Sequence, residues 1–168
     1  MATRTRPTTN DAYVPVGKQE PILRGDNREV SLLVADENLS LTYARRASGE
    51  RVADPHVHRH TEAFYVLEGE LTFQVGAERE TVTIGAGGFV AVLPGVAHSV
   101  RTAGDQPARW LIIHACDGGF AAFMRGIRDG VQIDWDIAPV PANGGLPAGH
   151  AIVSRPLPKP AQSQPSKL

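Results

Sequence analysis

The chain reads as an all-β domain, on three observations. Short runs rich in Val, Phe, Tyr and Thr recur at close spacing between residues 28 and 116. Gly and Pro clusters punctuate those runs at regular intervals. No helix-length apolar pattern lies between them, which argues against a parallel βαβ fold and for an antiparallel sandwich or barrel.

The elements follow in order. Residues 1–27 carry Pro7, Pro15 and Pro21 with no periodicity and are expected to form an N-terminal arm. The barrel is expected over 28–116. Its first strands are residues 30–35 and 39–47, separated by the polar turn Asp36-Glu37-Asn38. Residues 63–67 and 71–75 follow, broken at Gly69, and the turn at 76–79 leads into 80–84. Gly85, Gly87 and Gly88 precede the strand at 89–93, and Pro94-Gly95 precedes the one at 98–102. The last strand is 109–115. Over 117–138 one helix and a connection are expected to pack on the barrel. Phe120, Phe123, Met124 and Ile127 fall at i, i+3, i+4 and i+7, with Asp117 placed to cap the start and Gly130 to end it. Residues 139–168 hold seven of the 13 prolines and are expected as an extended tail.

Composition excludes several classes of function. Lys and Arg number 17 and Asp and Glu 18, a net charge of −1, so no basic field is present to hold nucleic acid. No stretch approaches the roughly 20 apolar residues of a membrane span. The N-terminal segment has no apolar core of the secretory kind, so a cytoplasmic location is expected. Ser166-Lys167-Leu168 reads as a peroxisomal address in a eukaryote. One cysteine, Cys116, permits no intrachain disulfide and no Cys-rich zinc site. Gly85-Ala86-Gly87-Gly88 lacks the Lys-Ser/Thr and helix of a phosphate loop and reads as a turn.

The six histidines are the feature that points to chemistry, three of them within residues 55–61. In an extended strand His56 and His58 project from one face, about 7 Å apart, close enough to share a metal ion. Glu62 opens the next apolar strand and can return a carboxylate to the same side. His98, just after Leu93-Pro94-Gly95, is the candidate fourth ligand. Three imidazoles and a carboxylate suit Fe, Mn, Co, Ni, Cu or Zn. His60, His114 and His150 are not read as ligands: His60 is a loop residue, His114 ends a strand either as a residue behind the ligands or as a plain polar one, and His150 is a solvated tail residue. If Glu62 and His98 point inward, so do Phe64, Val66, Val100 and Thr102, giving a mostly apolar pocket around the ion.

At these residues the sequence resembles the cupin family. His56, His58, Glu62 and Gly69 match its first motif, with one extra residue after Gly49. Gly87 through Leu93-Pro94-Gly95-Val96-Ala97-His98 matches the second. Leu93 replaces a proline and Thr102 an asparagine, neither of them a ligand position. The resemblance implies a small antiparallel jelly-roll barrel with one divalent transition metal ion in its interior.

The trailing Asp117-Gly118-Gly119-Phe120 helix and the single motif pair look like the single-domain quercetin 2,3-dioxygenase-like group. That resemblance implies a dioxygenase acting on a flavonol-like or other enol or phenol, with dioxygen as co-substrate and Glu62 as ligand and base. The alternatives are a non-redox cupin enzyme, of polyketide cyclase or isomerase type, using the metal as a Lewis acid, and a cupin that binds a small molecule without turnover. The arm and exposed strand edges lead to an expected homodimer.

Overall fold

A computed structural model describes residues 18–154. The strands are β1 (Glu20–Gly25), β2 (Arg28–Ala35), β3 (Ser40–Arg46), β4 (Arg51–Val57), β5 (Thr61–Glu68), β6 (Glu70–Val75), β7 (Glu80–Gly85), β8 (Phe89–Val92), β9 (His98–Ala103), β10 (Ala108–Ala115), β11 (Ala138–Pro139) and β12 (Ala151–Ser154). They form two antiparallel sheets, ordered β1-β2-β3-β10-β5-β8-β12 and β11-β4-β9-β6-β7. This is a jelly-roll barrel, and the single α-helix among the described residues, α1, spans Phe120–Asp129. No helix among the described residues is long and apolar enough to cross a membrane.

Alternation along the strands builds the interior. On β3, Ser40, Thr42 and Ala44 are buried; on β10, Ala108, Trp110, Ile112 and His114; on β5, Glu62, Phe64 and Val66. The register stacks these side chains in rungs. Ser40, His114 and Glu62 share one rung, Thr42, Ile112 and Phe64 the next, and Ala44, Trp110 and Val66 the third. Arg46 opposite Ala108 makes the fourth. The facing sheet contributes Leu71, Phe73, Val75, Val100 and Ile84, each at most 2% exposed.

The helix starts where expected. Asp117 Oδ1 accepts from the Ala121 N–H at 2.9 Å and Oδ2 from the Gly119 N–H at 3.1 Å, and Gly130 closes the helix in the left-handed region. Gly126, a weak helix residue, is required by a close approach: a Cβ there would lie 2.6 Å from the Val131 carbonyl oxygen. Arg125 holds Glu20 of β1 through two hydrogen bonds of 2.9 and 2.7 Å, and Arg128 adds a third at 2.8 Å. Those bonds tie the helix to the barrel edge.

The structure corrects two boundaries. The segment read as arm contains β1, which pairs with β2, and the segment read as tail supplies β12 to the edge beside β8. β11 also begins at the connection and pairs with β4 at His56 and Val57. These strands are short, and β1 is bulged between Pro21 and Leu23, so no period of two shows in them. Residues 1–17 of the arm and Ser166-Lys167-Leu168 lie outside the described residues.

Candidate metal centre

Pairing of β4 with β9 sets His56 opposite His98, and pairing of β5 with β10 sets Glu62 opposite His114. His58 lies just past β4, on the turn into β5. His56, His58, Glu62 and His98 each offer one ligand atom, and these atoms all lie within 4.8 Å of one another. All four residues are buried.

Each imidazole is fixed by a backbone carbonyl. Nδ1–H of His56 donates to Asp54 at 2.6 Å, that of His58 to His60 at 2.9 Å, and that of His98 to Val96 at 3.1 Å. A carbonyl only accepts, so Nδ1 carries the hydrogen and a neutral ring turns its Nε2 lone pair inward. Nε2 of His58 and of His98 face Oε2 of Glu62 at 3.0 and 2.8 Å. His56 Nε2 is buried with no hydrogen-bond partner among the described residues.

A set of lone pairs around a carboxylate oxygen needs positive charge in its midst. A proton supplies it poorly at His56, where burial first and the neighbouring His98 next push the pKa down to about 4. Burial also opposes ionisation of Glu62, but His114 beside its Oε1 outweighs burial, and the carboxyl is held well below the usual carboxylate range. A divalent cation fits this donor set. Ligand atoms about 2.1 Å from a shared ion and at right angles to each other stand about 3 Å apart, which the two measured contacts match.

Two histidines not read as ligands belong to the same assembly. His114 is fully buried, its Nε2 3.2 Å from Glu62 Oε1, its ring stacked on Phe120 at 3.9 Å. His60 is buried rather than placed in an open loop, stacked on His58 with ring centroids 4.3 Å apart. Its Nδ1–H donates to Asp136 Oδ2 at 3.0 Å, while the same carboxylate accepts from the Arg59 backbone N–H and from Arg59 Nε, both at 2.9 Å. Gly118 passes so near that a Cβ on it would stand 2.6 Å from His60 Cε1. The alternation His56, His58, His60 was a signal for this burial, but Asp136 is 76 residues away and had none. His150 is exposed, as expected.

The centre opens onto a cavity of about 530 Å³, a size suited to a small organic molecule. His56 and Glu62 line it, with Phe64, Ile112 and Trp110 from the barrel. Phe120, Phe123, Met124 and Ile127, the apolar face of α1, close over it, and Trp135, Ile137, Ala138 and Pro139 complete the wall. The helix thus covers the barrel mouth. Of the four pocket residues expected from alternation, Phe64 lines the cavity. Val66, Val100 and Thr102 are packed inside the barrel instead and do not line it. The rungs of Val66 and Val100 are filled by neighbouring side chains, and Thr102 Oγ1 is engaged by the backbone, donating to Ala47 at 2.6 Å and accepting from the Glu50 N–H at 2.9 Å.

The family model described as Cupin domain matches residues 43–114, the stretch that holds all four clustered residues. Among solved structures, an RmlC-like cupin from Shewanella frigidimarina is 21% identical over 59% of this chain and 85% of its own, with a TM-score of 0.50. That likeness shows the fold. The polyketide cyclase RemF from Streptomyces resistomycificus is 22% identical over 58% of this chain and 74% of its own, at a TM-score of 0.49. An oxalate decarboxylase variant from B. subtilis is 17% identical over 58% of this chain, also at 0.49. The chain spans only 27% of that oxalate decarboxylase chain. No curated protein sequence matches significantly. The family model covers less than half of the chain, and the solved structure agrees with it in fold.

Proposed function

We propose that the protein is a mononuclear metal-dependent enzyme of dioxygenase type, acting on an enol or phenol of a mainly apolar small molecule. The observation that carries this reading is the donor set itself: three Nε2 lone pairs and one carboxylate converge at the wall of a largely apolar cavity. His56, His58, His98 and Glu62 would hold the ion. Four protein ligands leave coordination positions free on a five- or six-coordinate ion, and a redox-active one supplies a binding site for substrate oxygen and a route for electrons to dioxygen.

The chain's own groups do the rest. Glu62 is the base nearest the centre and can take the hydroxyl proton of the substrate. Its other oxygen stays beside His114 Nε2, which keeps the carboxylate turned toward the site. Helix α1 and Trp135 wall the cavity and would hold a flat apolar body against Phe64 and Ile112.

The test is elemental analysis of purified protein, followed by oxygen uptake with a panel of flavonols and simpler enols. One equivalent of a transition metal and one dioxygen consumed per substrate turned over are expected. Turnover of a panel member without oxygen uptake would support Lewis-acid chemistry at the same centre and overturn the dioxygenase reading. Loaded protein inert toward the whole panel would overturn it as well.

A further inference from the structure

The cavity has a second polar feature, away from the metal centre. Three buried side-chain polar atoms on its walls have no hydrogen-bond partner among the described residues: Thr42 Oγ1, Arg46 Nε and Trp110 Nε1. Thr42 and Trp110 are fully buried, and the Arg46 side chain is 15% exposed. All three atoms can donate, and two of them can only donate. Buried donors without acceptors are costly and uncommon in folded proteins.

The register places these donors along one strip. Thr42 lies one rung beyond Ser40, His114 and Glu62, Trp110 two rungs and Arg46 three. At about 3.3 Å per residue, Arg46 starts about 20 Å of strand from the Ser40 rung; its Nη1 donates to the Arg51 carbonyl at 3.4 Å, while its Nε stays without a partner on the same cavity wall as Trp110. The surroundings are positive. Glu50 is shared by two cations, Arg28 at 3.3 Å and Arg46 at 3.7 Å, leaving an excess of one positive charge. Asp54, the other acid on the cavity wall besides Glu62, is paired with Arg51. Burial foremost, then the nearby Arg28, pushes the Arg46 guanidinium below its ordinary pKa, the mark of a cation short of compensation.

Resting on the reading of the site as a small-molecule cavity, we propose that its substrate is an elongated, mostly apolar organic acid, whose carboxylate is received by Arg46 with Trp110 and Thr42 as neighbouring donors. The apolar body then lies along Ile112, Phe64 and the helix face toward the metal centre. A hydrogen-bonded guanidinium–carboxylate pair in an apolar cavity is a strong discriminator, because a neutral analogue leaves the cation unpaired.

Decanoate, decan-1-ol and decyltrimethylammonium serve as probes, since a ten-carbon chain covers about 12 Å, close to the two-rung distance. Binding to the full chain is followed by fluorescence, as both tryptophans line the cavity. It is measured on protein as purified and again after chelation. Decanoate is expected to bind at least about tenfold more tightly than decan-1-ol in both states, and the ammonium probe more weakly than either. Arg46→Met should abolish that preference and leave decan-1-ol affinity within about twofold. Should Arg46→Met fail to fold, Arg46→Gln must lose the same preference. Equal affinities in the parent, a preference untouched by these variants, or no binding of any probe overturns the proposal. A preference that survives chelation supports the acid site even where elemental analysis finds no metal, so the two readings fail separately.

Discussion

The two ends of the cavity present opposite deficits. Near Glu62, buried acceptors converge without donors: the His56 Nε2 lone pair is unpartnered, and those of His58 and His98 face a carboxylate oxygen. Near Arg46, buried donors lie without acceptors. One barrel and one alternation of inward side chains produce both. The strand geometry is the same along the whole strip, so the chemistry of each end is set by what occupies each rung. Lone pairs select a cation and N–H groups select an anion. A ligand with an oxygen for the metal at one end and a carboxylate at the other answers both deficits.

The contrast is broken most directly at the acceptor end. His98→Ala removes a ligand and is expected to weaken metal binding by at least about 100-fold, because even residues that only orient ligands cost 10–100-fold. Elemental analysis after dialysis checks it, with His150→Ala as an exposed control that keeps the parent's metal content. The same variant should leave the decanoate preference intact, since Arg46 lies three rungs away. Metal content unchanged in His98→Ala would mean that the lone-pair cluster is not a metal site. His114→Phe is the next largest effect. It preserves packing on Phe120 but removes the nitrogen 3.2 Å from Glu62 Oε1, and about 10–100-fold weaker metal binding is expected by competition with a chelating dye.

The acceptor end was far more legible in the sequence than the donor end. His56, His58, Glu62 and His98 could be chosen because alternation fixes a common face for neighbours within a strand and the Pro-Gly turn marks where His98 begins the next. Burial of His60 was missed, and the place of His114 behind the ligands stayed one of two readings, because each depends on a partner far along the chain, Asp136 for one and the Glu62 rung for the other. Arg46 closes a strand that reads as ordinary, and the burial that leaves its Nε without an acceptor exists only once β10 pairs beside it. The barrel strands were legible through their period of two, whereas β1, β11 and β12 are too short or too irregular to show one. Val66, Val100 and Thr102 faced inward as alternation required, but inward includes the packed core as well as the cavity.

The segment 135–139 walls the cavity beside the histidines, and Asp136 anchors it. Asp136→Asn is expected to lower stability by about 1–3 kcal/mol, the usual worth of hydrogen bonds involving charged groups, with buried His60 the donor that loses most and exposed Arg59 returning to water. The loss carries a pH signature. Burial opposes ionisation of Asp136, but hydrogen bonds from His60, the Arg59 N–H and the Arg59 side chain outweigh it and hold the pKa at about 2, below the ordinary 3.8. A depressed acid stabilises above its unfolded-state pKa and loses that contribution as pH falls through its folded one. The parent–variant difference in urea melts should therefore be constant above about pH 7, where neither Asp136 nor its partner His60 titrates, and the carboxylate's share should be lost from about pH 4 toward pH 2. A difference independent of pH over that window would assign the segment's anchoring to Trp135 and its aromatic contacts instead of the carboxylate.

The smallest effect tests the donor end by sign. Thr42 and Thr102 are both fully buried, yet Thr102 Oγ1 is bonded to the backbone at Ala47 and Glu50 while Thr42 Oγ1 has no partner among the described residues. Valine has nearly the shape of threonine without the hydroxyl, so each substitution isolates the cost or gain of one polar atom. Thr102→Val should destabilise the ligand-free protein by about 1–2 kcal/mol, because it orphans the Glu50 N–H. Thr42→Val should stabilise it by about 1 kcal/mol, a rise in Tm of about 2–4 °C, because it removes a desolvated hydroxyl that nothing answers. Thermal melts read both. A gain at Thr42 would mean that the fold carries this hydroxyl at a cost to stability, which is expected of a group held for a ligand and not for packing. A loss at Thr42 comparable to that at Thr102 would instead show that the hydroxyl is satisfied within the fold, and the donor strip would then reduce to Arg46 and Trp110.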